Sequence, residues 1–323
     1  LPQIIRSFDW NYSEAGLVIM GGSIGYFSST FASGFLLRII RPRLLSGGGL
    51  ILITVGLVCF GMSPSVYLNL TLSVIIGFGQ GIIEVIINFC TIQIEKQGRS
   101  QLMNLLHAAF SVGAVLGPIL PAQLMNNDMP WQISYRILSL ISILLIFWIT
   151  LLPFHRIVPN LTSINKKNRS LPRINISILI ICSTILLLYV GAEVGLTSWI
   201  SEYFVKVLNT SISTSALFVS LFWVGVLSGR LIIAFTYKGT RPAIAIAGLA
   251  CVSTAGLIIA LSTNTIIFSL LGFIITGFGF SSIYPLVMSL IGSSFVTEHQ
   301  SLAIGYASTG GGIGAFFFPF VMA

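Results

Sequence analysis

The sequence predicts an all-α membrane protein that crosses the bilayer repeatedly. Hydrophobic residues fill 55% of the 323 positions and charged residues only 7%, whereas a soluble domain carries about 25% charged residues. The apolar residues gather into ten runs long enough to span hydrocarbon, and basic residues gather in alternate gaps between them. So few charges cannot coat a water-facing surface, which excludes a soluble enzyme, a DNA-binding module and a disordered regulator.

A helix of about 20 residues spans the bilayer, since each residue adds about 1.5 Å against a hydrocarbon core of about 30 Å. In chain order the first five runs are 15–37, 44–63, 66–92, 103–125 and 132–152. Five more follow at 174–200, 213–237, 242–262, 264–292 and 301–323. Turn residues mark the tight gaps: Arg41-Pro42-Arg43, Ser63-Pro64-Ser65 and Thr240-Arg241-Pro242. Strands of a membrane barrel would be about 10 residues long with alternating polarity. These runs are too long and too uniformly apolar for that.

The net charge of +8 comes from 16 Lys and Arg against 8 Asp and Glu. Nucleic acid would need those cations on one soluble face, and here they lie in short loops. Arg38, Arg41 and Arg43, then Lys96 and Arg99, then Lys238 and Arg241 occupy every second connection, while the opposite ones hold Arg6, Arg136 and Lys206. The positive-inside rule assigns the basic loops to the cytosol. A long basic connection, 153–173, reads as a solvated linker between an N-terminal half, 1–152, and a C-terminal half, 174–323. Cys59, Cys90, Cys182 and Cys251 sit inside apolar runs without metal or disulfide spacing and read as small core residues.

The two halves repeat. Gly25, Arg41-Pro42 and Gly77-Phe78-Gly79 recur 200 positions later as Gly225, Arg241-Pro242 and Gly277-Phe278-Gly279. Gly113-Ala114 with Pro118 recurs at an offset of 201 as Gly314-Ala315 with Pro319. Extending that register places a partner for run 174–200 before Leu1 and a partner for run 132–152 after Ala323. The expectation is therefore helices two to eleven of a twelve-helix protein, with the first and last helices missing.

Two six-helix halves joined by a basic loop describe the major facilitator architecture. The strings within the helices resemble one group of that superfamily, the fucose permease-like and sodium-dependent glucose transporter-like sugar symporters. Gly77-x-Gly79-x-Gly81-x-x-Glu84-x-x-x-Asn88 is similar to the group's fourth-helix motif, and Tyr189-Val190-Gly191-Ala192-Glu193 with Trp199-Ile200 to its seventh helix. Leu106-His107, Phe110, Gly113-Ala114 and Gly117-Pro118 resemble its fifth helix; Trp223, Gly225 and Gly229-Arg230 resemble its eighth. The loop at 34–43 departs from the superfamily pattern, because it holds no acid to pair with its arginines. The resemblance implies a symporter of a sugar with a proton or sodium, acting as a monomer in a lipid bilayer without cofactor.

Ionisable side chains inside hydrocarbon cost about 2.5–3.5 kcal/mol each and mark functional sites. Glu84, near mid-membrane, shares a helix face with Gln80 and Asn88 at i, i+4 spacing. That stripe faces a water-filled cavity or is satisfied by neighbouring helices; the cavity reading makes Glu84 the proton-coupling group and Gln80 and Asn88 solute ligands. Tyr189 and Glu193 lie one turn apart and suit sugar hydroxyls, with Gly191 and Gly195 leaving room for a ligand or a bend. Arg230 either snorkels to the cytosolic interface or forms an inner-gate ion pair, and His107 is a candidate for gating.

No paired acids, HExxH, GxSxG or GxxxxGK[ST] constellation supports an enzyme or an ATP-driven pump. A secondary transporter of a small polar solute is the leading reading. An exporter of amphipathic compounds and a non-transporting receptor stand as alternatives. The solute, coupling ion, direction and membrane are left open.

Overall fold

The computed structural model describes residues 2–96, 99–117, 129–152, 175–239 and 241–322, with 120, 124 and 127 singly. The expected linker, 153–173, lies outside the described residues, as do Pro118 and parts of run 103–125 beyond it. Among the described residues the chain is helical throughout. The helices of the first group are α1 (Pro2–Phe8), α2 (Tyr12–Leu36), α3 (Pro42–Cys59), α4 (Val66–Ile94), α5 (Gln101–Leu116) and α6 (Gln132–Leu151). Those of the second are α7 (Ile176–Lys206), α8 (Ile212–Thr236), α9 (Pro242–Ser262), α10 (Ile266–Phe280), α11 (Ile283–Ser294) and α12 (Thr297–Val321). Eight stretches are long and apolar enough to cross a membrane, α10 and α11 counting as one, and α5 is a shorter apolar helix.

Local chemistry sets the helix starts. Asn11 and Glu14 form a capping box at α2, Ser65 and Ser211 cap α4 and α8, and Pro42 and Pro242 open α3 and α9. Arg136, counted with a connection although inside run 132–152, lies within α6 and donates to the carbonyls of Leu57 and Phe60 at 2.6 and 3.0 Å. A cation there complements the exposed carbonyls at the end of α3. Helix α1 covers the same end of the bundle, where Trp10 donates to the Pro64 carbonyl at 2.7 Å and Trp131 to Ser7 Oγ at 3.2 Å.

One expected helix is two. Run 264–292 breaks at Ser281 and Ser282. Pro285 explains the break, because it has no N–H for the carbonyl four residues earlier, which is Ser281, and its ring crowds that carbonyl. The freed oxygen finds another donor, described below.

Packing repeats as the sequence does. Close approach of α2 to α4 requires glycine at Gly25, where a Cβ would lie 2.1 Å from the Val74 carbonyl oxygen; α8 approaches α10 at Gly225, 2.4 Å from that of Ile274. Both contacts shift by 200 positions, as do Gly77 on the carbonyl of Gly22 and Gly277 on that of Phe222. Gly77→Ala would place its methyl 1.9 Å from the Gly22 oxygen and is expected to cost about 1–3 kcal/mol. The check is the melting temperature of the purified protein in detergent; an unchanged value would show that the α2–α4 seam has slack.

The groups meet closely at the end bearing Arg38, Arg41, Arg43, Lys96, Arg99, Lys238 and Arg241, here called the basic end. There a Cβ on Gly305 of α12 would lie 2.9 Å from Gly34 Cα and from the Thr30 oxygen of α2. The hydroxyls of Thr30 and Thr309 meet at 3.2 Å. Gln93 donates to Gln300 at 2.6 Å, and Ser289 to the Arg99 carbonyl at 2.6 Å. These bonds close the basic end around the polar groups above it.

Candidate functional site

Two carboxylates lie where the groups face each other, each held by tyrosine. Glu84 is partly buried on α4, about one turn to the basic side of that helix's middle. Tyr26 of α2 donates to its Oε2 at 2.5 Å, and Tyr284 of α11 donates to its Oε1. Tyr284 has one proton, so with that proton on Glu84 its oxygen accepts from Ser308 at 2.9 Å and from Asn88 Nδ2 at 3.3 Å. Glu84, Asn88, Tyr26, Tyr284 and Ser308 thus form one network across both groups. Gln80, a turn earlier, is exposed and stands outside it.

The second carboxylate, Glu193 on α7, is 8% exposed. Tyr189 donates to its Oε1 at 2.7 Å, and Arg230 of α8 brings Nη2 to 3.8 Å from the same oxygen. Arg230 is only 2% exposed, which rules out snorkelling. Its Nε donates at 2.8 Å to the carbonyl of Ser281, the oxygen that Pro285 leaves without a helical partner. Its Nη1 donates across to α5, to the His107 carbonyl at 2.7 Å and Ser111 Oγ at 2.6 Å. The Phe110 ring lies 6.0 Å from the guanidinium carbon and packs edge-on against Trp223 of α8, centroids 5.9 Å apart. A buried guanidinium with hydrogen-bond acceptors and a counter-ion is tolerated, whereas an unpaired one is not.

His107 joins the clusters. Its ring packs 4.7 Å from that of Tyr284, centroid to centroid, while its backbone carbonyl serves Arg230. Two buried polar atoms beside Tyr284, His107 Nε2 and Asn88 Oδ1, make no hydrogen bond within the protein. Buried atoms of that kind are uncommon and call for a bound water or a ligand. Gly191 and Gly195 leave no ligand space: a Cβ would meet the Phe318 ring at 2.6 Å and Met322 Sδ at 2.5 Å, so both seat α12 against α7.

The sequence profile of the Major Facilitator Superfamily matches residues 1–319. The chain belongs to that superfamily. It is thereby a multi-pass integral membrane protein of a superfamily of transporters rather than enzymes. A protein TsgA homolog of Buchnera aphidicola subsp. Baizongia pistaciae is 29% identical over 327 residues, covering 97% of this chain and 79% of that protein. The glucose/mannose transporter GlcP of Bacillus subtilis is 22% identical over 335 residues, covering 98% and 80%. Among solved structures, a variant of the E. coli fucose:proton symporter FucP superposes with a TM-score of 0.74 at 18% identity, covering 99% of this chain and 91% of that one. The human organic anion transporter MFSD10 gives 0.79 at 17%, covering 98% and 81%. At these structural identities the likeness is one of fold.

Within this major facilitator frame, sequence reasoning missed Tyr26, Tyr284, Ser111, Ser281 and Ser308. For Tyr284 a signal existed: it is the 200-offset counterpart of Glu84, so the repeat pairs the two positions that the structure joins. The partners Ser111 and Ser281 had no signal, since serine is frequent in these helices and only the fold says which one faces Arg230.

Proposed function

We propose that this chain is a secondary active transporter of a small polar solute, a sugar, working by alternating access with proton coupling. Its two helical groups act as pseudo-symmetric halves that rock about the site, and a monomer suffices. The observation that carries this reading is Glu84, a carboxylate within the membrane held by one tyrosine from each group. A proton added there converts a charge-assisted pair of hydrogen bonds into weaker neutral ones. Charge on one side chain thereby alters contact between the moving parts.

Glu84 is assigned the coupling proton. Gln80, Asn88, Tyr189 and Glu193 are assigned to the solute, whose hydroxyls can both donate to carboxylates and accept from amides and phenols. His107 and Arg230 are assigned to gating. The likeness to proteins named as glucose/mannose and fucose:proton transporters supports the solute class. The test is uptake of labelled hexoses into proteoliposomes with and without an inward proton gradient. Gradient-stimulated accumulation of at least one hexose is expected; no hexose uptake under any gradient would exclude the sugar assignment.

Glu193→Gln keeps the size of the side chain and an acceptor for Tyr189 but removes the charge. Loss of a hydrogen bond to a charged group costs about 1.5–3 kcal/mol, so affinity is expected to fall roughly tenfold to more than a hundredfold. Titration with the transported solute in detergent at fixed pH measures this. An unchanged dissociation constant would make Glu193 purely a counter-ion for Arg230.

A further inference from the structure

We propose that Arg230 is the positioning residue that clasps the helical groups together at the basic end, and that through Glu193 the same guanidinium fixes the solute site. One side chain reaches three separate elements. Nη1 takes two acceptors on α5 of the first group, the His107 carbonyl at 2.7 Å and Ser111 Oγ at 2.6 Å. Nε takes the Ser281 carbonyl at 2.8 Å, at the break between α10 and α11. Nη2 faces Glu193 of α7 at 3.8 Å. A second bond runs parallel to the clasp, from Ser282 Oγ in the break to Asn104 Oδ1 on α5 at 2.5 Å.

The planar fork matters as much as the charge. Guanidinium holds its donors in fixed directions, so one residue can bridge acceptors on different helices, whereas an ammonium is a point charge on a flexible stem. The Ser281 oxygen is available only because Pro285 withholds a helical N–H. Pro285, Ser281 and Arg230 therefore form a built seat that holds the side chain toward α5. When the groups separate at the basic end, Nη1 must leave both α5 acceptors, while Nε and the Glu193 pairing stay within the second group. The clasp thus breaks on one side only and keeps the guanidinium beside Glu193 in either state. The inference deepens the transporter reading at its gate, but its test needs no solute, so it can fail or stand separately from the sugar assignment.

The experiment uses Ser301→Cys as a reporter. Ser301 is fully buried in the α2–α12 seam at the basic end, and the four native cysteines are replaced by alanine. Labelling by a membrane-impermeant maleimide from the basic side is timed with Arg230 intact and with Arg230→Lys, which keeps the charge but not the fork. The ammonium can keep at most one of the two α5 acceptors, and losing the other hydrogen bond from a charged donor predicts labelling roughly tenfold to a hundredfold faster. Thr30→Cys with Thr309→Cys, oxidised beforehand to link α2 and α12, should restore slow labelling in the lysine variant. An unchanged rate with Arg230→Lys would overturn the proposal. So would fast labelling that the cross-link does not reverse, since that reports a loosened fold rather than an opened clasp.

Discussion

Glu84→Gln is expected to abolish uphill accumulation of solute while leaving counterflow exchange largely intact. An inward gradient of one pH unit supplies about 1.4 kcal/mol per proton, enough for a roughly tenfold accumulation ratio. A glutamine cannot release a proton, so the variant should hold the ratio at about one, the value for a carrier that gains nothing from the gradient. The neighbourhood can accommodate the amide. Glu84 uses both oxygens as acceptors, for Tyr26 and Tyr284, whereas glutamine offers one acceptor and one donor. Tyr26 keeps the oxygen, and Tyr284 turns its proton to Ser308, already 2.9 Å away, leaving its own oxygen to accept from the new amide. Exchange needs no net proton release and should survive. Full accumulation by Glu84→Gln would move coupling to another group, and loss of both accumulation and exchange would make the carboxylate part of the solute site.

Gly305→Leu is expected to trap the protein open at the basic end. Even a methyl at this position would sit 2.9 Å from Gly34 Cα and the Thr30 oxygen, and a leucine adds three further carbons. The clash is between helical groups rather than within one, so each group can fold while their closure is blocked. Overpacking of this kind costs about 1–3 kcal/mol, a shift of roughly fivefold to more than a hundredfold in the closed population. Spin labels at Arg41→Cys and Lys238→Cys should show a longer distance distribution than in the parent, and net transport should fall in parallel. A parent-like distance and rate would mean that the seam yields to leucine without opening.

Length and hydropathy alone made the helices legible. The runs beginning at 66 and 242 start where α4 and α9 start, because a serine cap and a proline at the first turn announce themselves locally. Two features were not legible that way. The short helix α1 buries Trp10 against loops that are close only in the fold. The division of run 264–292 turned on Pro285, whose tolerance inside a membrane helix depends on whether another residue takes up the freed carbonyl.

The site divides likewise. Glu84, Asn88 and Glu193 stood out because acids and amides within hydrocarbon need a reason, and Tyr189 because it precedes Glu193 by one turn. Their partners did not, since a serine or tyrosine in such a helix needs none. Arg230 shows the difference most plainly. Counted along the chain, it lies within two turns of a basic loop and could reach the interface. In space it is enclosed by α5, α7 and the α10–α11 break.

The edge-on contact of Trp223 with Phe110 has an optical consequence. Trp10 and Trp131 are buried at the far end of the first group, and Trp148 is 63% exposed on α6. None of these three indoles lies at the contact between the groups. Trp223 does, 5.9 Å from the Phe110 ring of the opposite group. Separation of α5 from α8 would take that ring away and change the polarity around this indole, and so its emission wavelength. Intrinsic fluorescence, compared with that of Trp223→Phe, could follow the working cycle without any attached dye.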